Sequence, residues 1–239
     1  MKTVIDLDLP SNLQGLTDQR ANLRFSEHWG DVSIRVDRIF AVLMAVQWLA
    51  GIAAALIISP RTWIGAASST HLHVWAAILL GGAISALPIA LVLIHPGRPL
   101  NRYVIAVAQG LWSALLIHLT GGHLETHFHV FASLAFLSLY RDWHVFVPAT
   151  VVIAADHLLR GLFWPESVYG IADASAWRWL EHAGWVICED IVLIVACVQS
   201  RREMRLQADQ WAHLSITKDI VDAEVEAQTR ELAECHQIP

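Results

Sequence analysis

The chain has 239 residues, 55% of them hydrophobic and only 16% charged, with 11 Trp and a formal net charge of −6. So apolar a composition excludes an ordinary soluble domain and fits a multi-pass membrane protein. Mild acidity, with a pI near 6.1, gives no basis for nucleic-acid binding, and the 3 cysteines form neither a CxxC nor a spaced metal pair, so no disulfide framework follows.

Residues 1–35 carry Asp6, Asp8, Pro10 and Asp18 among polar neighbours. They lack the charged-then-apolar profile of a cleavable signal peptide and read as a cytoplasmic N-terminal tail. Six apolar runs follow, near 36–58, 72–94, 103–119, 127–140, 143–162 and 179–198. A bilayer crossing needs roughly 20 residues; the fourth run is short unless its polar start already lies at membrane depth. The expected fold is all-α, a polytopic bundle of six transmembrane helices over 36–198. A cytoplasmic coiled-coil helix over 199–239 completes it.

Arginines divide unevenly between the connections. Arg20, Arg24, Arg35, Arg38, Arg98, Arg102, Arg141, Arg201, Arg202 and Arg205 fall on one side, Arg61, Arg160 and Arg178 on the other. By the positive-inside rule both termini are cytoplasmic, as for a protein of the bacterial inner membrane.

The stretch at 121–140, GGHLETHFHVFASLAFLSLY, organises the chain. Its first nine residues hold His123, Glu125, His127 and His129, just after His118 closes the preceding run. Residues four apart share a helix face, so His123 sits over His127 and Glu125 over His129. The same topology brings His71, His73, His157 and His182 to the outer face as well, with Asp156, Glu181 and Glu189. Imidazoles and carboxylates at membrane depth are costly to desolvate without a partner. A transition metal ion, iron, copper or zinc, is the partner their chemistry suits.

The metal ligands predicted on this basis are His71, His73, His118, His123, Glu125, His127, His129, Asp156, His157, His182 and Glu189. Steps of two residues turn about 200° on a helix, so only one of His71 and His73, and one of His127 and His129, faces a given site. Eight histidines exceed what one ion needs, which points to a dinuclear site. A haem held by His118 and His157 is the alternative, and a polar cap that bonds water or headgroups is the structural one. Glu189 and Asp190 lie about two turns into the last run, and an intramembrane carboxylate is a functional candidate in its own right.

From Arg201 the composition turns charged and helix-forming, without Gly or Pro until Pro239. Leu214, Val221, Val225, Gln228, Leu232 and Cys235 approximate a coiled-coil seam and predict a parallel homodimer. No output domain precedes Pro239, so the chain reads as the N-terminal piece of a longer signalling protein or as a truncated product.

Two stretches carry a resemblance. His123, His127, Phe128 and His129, then Tyr140, Asp142 and Trp143, then Asp156, His157 and Leu158 resemble the His-rich six-helix membrane input module at the N-terminus of bacterial sensor histidine kinases, diguanylate cyclases and chemoreceptors. Asp156 stands where that pattern has the first of two histidines. The segment EVEAQTRELAE at 224–234 is similar to the helix that joins such modules to a dimerising kinase domain. The resemblance implies a sensor whose downstream partner is a kinase or another output domain.

No GxGxxG, GxxxxGK[ST], GxSxG or HExxH occurs, so nucleotide binding and common hydrolase chemistry lack support. The expected function is that of a membrane sensor with a His/carboxylate metal site near the periplasmic face. A membrane metalloenzyme or oxidoreductase is the competing expectation, and a metal permease the third.

Overall fold

Pro10 and Pro60 bracket a stretch free of proline, and it folds as a single helix, α1 (Ser11–Ile58). The computed structural model describes residues 11–235, the side chains of Ser11, Asn12 and Cys235 excepted. Asp6, Asp8, Pro10, His236 and the side chain of Cys235 therefore lie outside the described residues.

After α1 comes a short antiparallel hairpin, β1 (Arg61–Ile64) and β2 (Ala67–Thr70), turned at Gly65 with φ +62. The next run is α2 (Leu72–Trp75), one π-helical segment (Ala76–Leu80) and α3 (Gly81–Ile94). Pro99 then opens α4 (Pro99–Leu119), where its missing N–H costs nothing. The histidine-rich stretch forms α5 (Leu124–Leu137). A corner at residues 138–145, with Arg141 in the left-handed region at φ +54, leads into α6 (Phe146–Phe163). The short α7 (Glu166–Tyr169) precedes α8 (Arg178–Cys235).

Five helical stretches are long and apolar enough to cross a membrane: Leu13–Ile58, Leu72–Ile94, Pro99–Leu119, Trp143–Phe163 and Arg178–Glu234. They are the stretches of a multi-pass membrane protein. The run expected as a further span gives α5, 14 residues long, or about 21 Å at 1.5 Å per residue. Large apolar side chains such as Val42, Leu49 and Ile57 point outward from α1, as lipid contact requires.

The chain divides into two compact units, residues 30–200 and the remainder. In the larger one, glycines make room for tryptophans: a Cβ on Gly51 or Gly81 would meet the Trp112 ring at 2.8 Å, and one on Gly82 would meet Trp48 at 3.0 Å. Trp112 is fully buried and donates its indole N–H to Ser85 Oγ. Alternating helix directions place the end of α1 and the starts of α2, α5 and α8 at one end of this bundle, with the ends of α4 and α6.

The opposite end is tied by two buried carboxylates. Asp37 accepts from Gly97 N (2.7 Å), Asn101 Nδ2 (2.8 Å) and Tyr140 Oη (2.7 Å). Asp142 pairs with Arg102 at 3.2 Å and with His144 at 2.7 Å. The Tyr-x-Asp-Trp turn is thus a structural corner that pins α5 and α6 to α1 and α4.

In the smaller unit the start of α1 packs on α8, burying Thr17, Ala21, Met204, Ala208, Ala212 and Ile216. Arg20 pairs with Asp219 at 2.7 Å, and Arg24 lies over the Trp211 ring. The seam residues Leu214, Val221, Val225 and Leu232 are exposed on α8. Gln228 bonds Glu224 of the same helix.

Candidate functional site

Three helices each contribute one imidazole to a single cluster: His127 from α5, His157 from α6 and His182 from α8. Their ring centroids form a nearly equilateral triangle, 5.6 Å from His127 to His157, 5.4 Å from His127 to His182 and 5.7 Å from His157 to His182. In each case Nδ1 bonds the carbonyl one turn back on its own helix: His123 O at 2.9 Å, Ile153 O at 3.0 Å and Arg178 O at 3.0 Å. A carbonyl only accepts, so each Nδ1 carries its proton and each neutral ring keeps its lone pair on Nε2. This orienting bond is what metal-ligating histidines ordinarily have. His127 and His157 are buried, and His127 Nε2 has no hydrogen-bond partner.

The spacing bears on what three such rings can hold. An equilateral triangle with those sides has its centre about 3.2 Å from each centroid. An ion about 2.0–2.1 Å from Nε2 lies about that far from the ring centre once the ring's own radius is added. Among the described residues, no group of three or more His, Cys, Asp or Glu side chains is placed so that it could hold a metal ion as it stands. The triad has the ring spacing for one ion, its rings tilted 39° to 76° against one another.

The remaining predicted ligands fall elsewhere. His71, His73 and His118 make a second cluster, with centroids 4.3 Å apart for the first pair and 4.9 Å for His73 and His118. His71 Nδ1 accepts from the His73 backbone N–H, which leaves the proton of a neutral His71 on Nε2. His73 Nδ1 meets Ser59 Oγ, and His118 Nδ1 meets Ser167 Oγ. His123 and Glu125 are exposed and 3.9 Å from each other; His123 serves the triad through its carbonyl only.

His129 faces away from the triad. It takes part in a buried network with Gln47 (2.9 Å), Ser113 (2.8 Å) and Ser133 (3.2 Å), and Gln47 and Gln109 exchange two amide bonds of 3.0 and 2.9 Å. Both ring nitrogens of His129 are thereby engaged.

Asp156, beside His157, is held by Arg160 through two bonds of 2.6 Å. Arg160 also donates to Ser167 Oγ (2.8 Å) and Ala114 O (3.0 Å). A continuous polar chain, His118 to Ser167 to Arg160 to Asp156 to His157, with a last step of 3.4 Å, therefore links the two imidazole clusters. Glu189 is half-buried with Oε2 unpartnered, and Asp190 accepts from Thr150 Oγ1 at 2.6 Å.

Several participants carried no signal in the sequence. Arg160, Gln47, Gln109 and Thr150 are ordinary polar residues in apolar runs and Ser167 lies in a connection, and only their partners give them roles. The Tyr169 ring in α7 lies 5.3 Å from that of His182; burial pushes its phenol above the usual range. A cavity of about 310 Å³ opens from all three imidazoles, lined by Phe128, Phe131, Thr150, Ile153, Trp179 and Trp185 among others.

No family model matches the chain, and no solved structure matches it. A stretch of 69 residues is 33% identical to transducer protein Htr8 of Halobacterium salinarum. The match spans 28% of this chain and 11% of that protein.

Proposed function

We propose that this chain is the sensory input module of a membrane signal-transduction protein, and that His127, His157 and His182 hold one transition metal ion as its sensing centre. The observation that carries this reading is the triangle of three imidazoles from three helices, each with Nδ1 tied back and Nε2 left as donor. The partial similarity to a transducer protein supports the signalling role. Iron, copper and zinc all accept three imidazoles. The second cluster, His71, His73 and His118, is a lesser candidate, because a neutral His71 keeps its Nε2 proton.

A site shared by three helices is also a means of transmission. Gain, loss or oxidation of the ion changes the preferred spacing of His182 against His127 and His157, and so biases α8 against α5 and α6. The chain of α8 continues past Arg201 into the exposed seam. There we place the homodimer contact and the link to a downstream output domain, of the histidine-kinase type by the resemblance above. In this reading α5 is a sixth, short crossing, both termini are cytoplasmic, and the triad faces the periplasm of a bacterial inner membrane.

The test is elemental analysis of the purified protein in detergent. Wild type carries about one ion per chain, and His127→Ala, His157→Ala and His182→Ala each lose it while His123→Ala retains it. Equal metal content in wild type and all three triad variants would overturn the assignment.

A further inference from the structure

Arg35 closes the polar start of α1 just before its apolar stretch, Arg141 turns the corner between α5 and α6, and Ser200 ends the apolar part of α8. All three stand at the end of the bundle opposite the imidazole triad, at the depth where apolar side chains give way to charged ones. They line one cavity of about 390 Å³, walled by α1, the corner and α8. That volume lies within the range of small-molecule sites, roughly 300–1,000 Å³.

The polar side chains of the lining are Arg35, Arg141, Ser138, Ser200 and the Cys197 thiol, with no carboxylate among them. Cys197 gives its thiol proton to Ser138 O at 3.6 Å, and Ser138 gives its hydroxyl proton to Ala135 O at 2.6 Å. The donors left for a guest are therefore the two guanidinia and the Ser200 hydroxyl. Among the described residues neither guanidinium has a hydrogen-bond or ion-pair partner. Asp31, one turn before Arg35, shares an adjoining open groove with Arg35 and Arg38 and is paired with neither. Arg141 is also the one described residue other than glycine with left-handed backbone, φ +54, a conformation that is costly for a residue with a Cβ. The rest of the wall is apolar, and its Ile39 continues the exposed row Val42, Val46 and Leu49 along α1. An apolar track thus leads from the cavity along the lipid-facing side of that helix.

We infer that this cavity binds an anionic phospholipid, with its phosphodiester taken by Arg35 and Arg141, Ser200 donating to a phosphate oxygen, and one acyl chain lying along Ile39, Val42 and Val46. Guanidinia present donors in a fork that matches phosphate oxygens, and a basic pocket between membrane helices at their charged end is suited to a lipid headgroup. The apolar track selects a lipid over a free phosphate. Such a lipid touches α1, the corner and α8 together, at the point where α8 leaves its apolar stretch. The inference is independent of the triad and its ion.

The test uses the delipidated full chain in a neutral detergent. It is titrated with dioleoylphosphatidylglycerol, with dioleoylphosphatidylcholine, which has the same chains and no net charge, and with glycerol 3-phosphate, which has the phosphate without chains. Native mass spectrometry counts bound lipid, and the thermal unfolding midpoint follows stabilisation. Phosphatidylglycerol fills one saturable site and raises Tm, and the other two compounds act about 10-fold more weakly. Arg35→Gln and Arg141→Gln each weaken phosphatidylglycerol binding about 5-fold, the worth of one arginine beside an anionic headgroup. Arg98→Gln, which removes the same charge just before α4 and outside the cavity, leaves it unchanged. Ala196→Phe, which fills the cavity from an exposed wall position, abolishes the saturable site. Should Arg141→Gln fail to fold, Arg35→Gln and Ala196→Phe decide the matter. Equal binding of the two phospholipids, equal losses in Arg98→Gln and Arg35→Gln, or an unchanged site in Ala196→Phe would overturn the site. Glycerol 3-phosphate binding as tightly as phosphatidylglycerol would overturn the lipid as its occupant.

Discussion

Asp156 and Arg160 sit one helical turn apart on α6 and are joined by two hydrogen bonds of 2.6 Å. The pair shows what holds this aspartate in a histidine-rich rim: both of its oxygens accept from one guanidinium. Arg160 in turn reaches Ala114 O on α4 and Ser167 after α6. One side chain thereby fastens the wall between the two imidazole clusters.

Removing that guanidinium leaves a carboxylate with 15% of its surface exposed and without its counter-charge. Arg160→Gln is expected to lower stability by about 3 kcal/mol. The double variant Arg160→Met, Asp156→Leu recovers most of the loss, because the buried charge goes as well. Denaturant unfolding in detergent of Arg160→Met, Asp156→Leu and the double gives the cycle, and a double variant no more stable than Arg160→Met would refute the pairing as the cause.

His127 and His129 are expected to behave oppositely although they are two residues apart. His127→Ala empties the ion site and leaves the fold nearly as stable as the metal-free wild type. His129→Ala keeps the ion and destabilises by about 1–3 kcal/mol, since Gln47 and Ser113 lose a buried partner. Metal content and unfolding midpoint, measured on both variants, should cross in this way.

Gly121 and Gly122 both have left-handed backbone, with φ +70 and +76. A Cβ on Gly121 meets nothing within 4 Å, whereas one on Gly122 runs into the backbone of Val168 and Gly170. Gly121→Ala should cost about 1–2 kcal/mol, the strain of the conformation alone. Gly122→Ala should cost clearly more and pull α7 off the end of α4, exposing residues 166–170 to protease. Limited proteolysis with mass spectrometry checks the second effect, and equal stability losses in the two variants would contradict it.

At the other end of the bundle Tyr140→Phe removes a 2.7 Å bond to the buried carboxylate of Asp37. The expected loss is about 1.5–3 kcal/mol, the range for a hydrogen bond to a charged group. Asp37→Ala should cost more, because Gly97 N–H, Asn101 and Tyr140 all lose their acceptor. Neither change should alter metal content, which separates a structural corner from a ligand site.

The exposed helix pair Arg20 and Asp219, with side-chain exposure of 31% and 56%, is expected to contribute under about 1 kcal/mol. Arg20→Ala measured at low and at 0.5 M salt should show a small loss that salt erases. A large, salt-independent loss would mean that Arg20 acts through packing instead.

Much of this was legible in the residues themselves. Apolar runs marked the long helices, and the alternation of helix direction brought the ends carrying His71, His118, His127, His157 and His182 to one end of the bundle. The two-residue step also required that His127 and His129 face different ways. Which of them meets the other imidazoles was beyond the sequence. A helix period fixes directions relative to one another, but the neighbour waiting in each direction depends on how separate helices pack. Here α6 and α8 lie on the side of His127, and α1 and α4 on the side of His129. Packing also decided that Asp156 goes to Arg160, that three Nδ1 protons are spent on backbone carbonyls, and that His71, His73 and His118 gather apart from the triad. Each is a contact between side chains or chain segments whose positions local propensity leaves free.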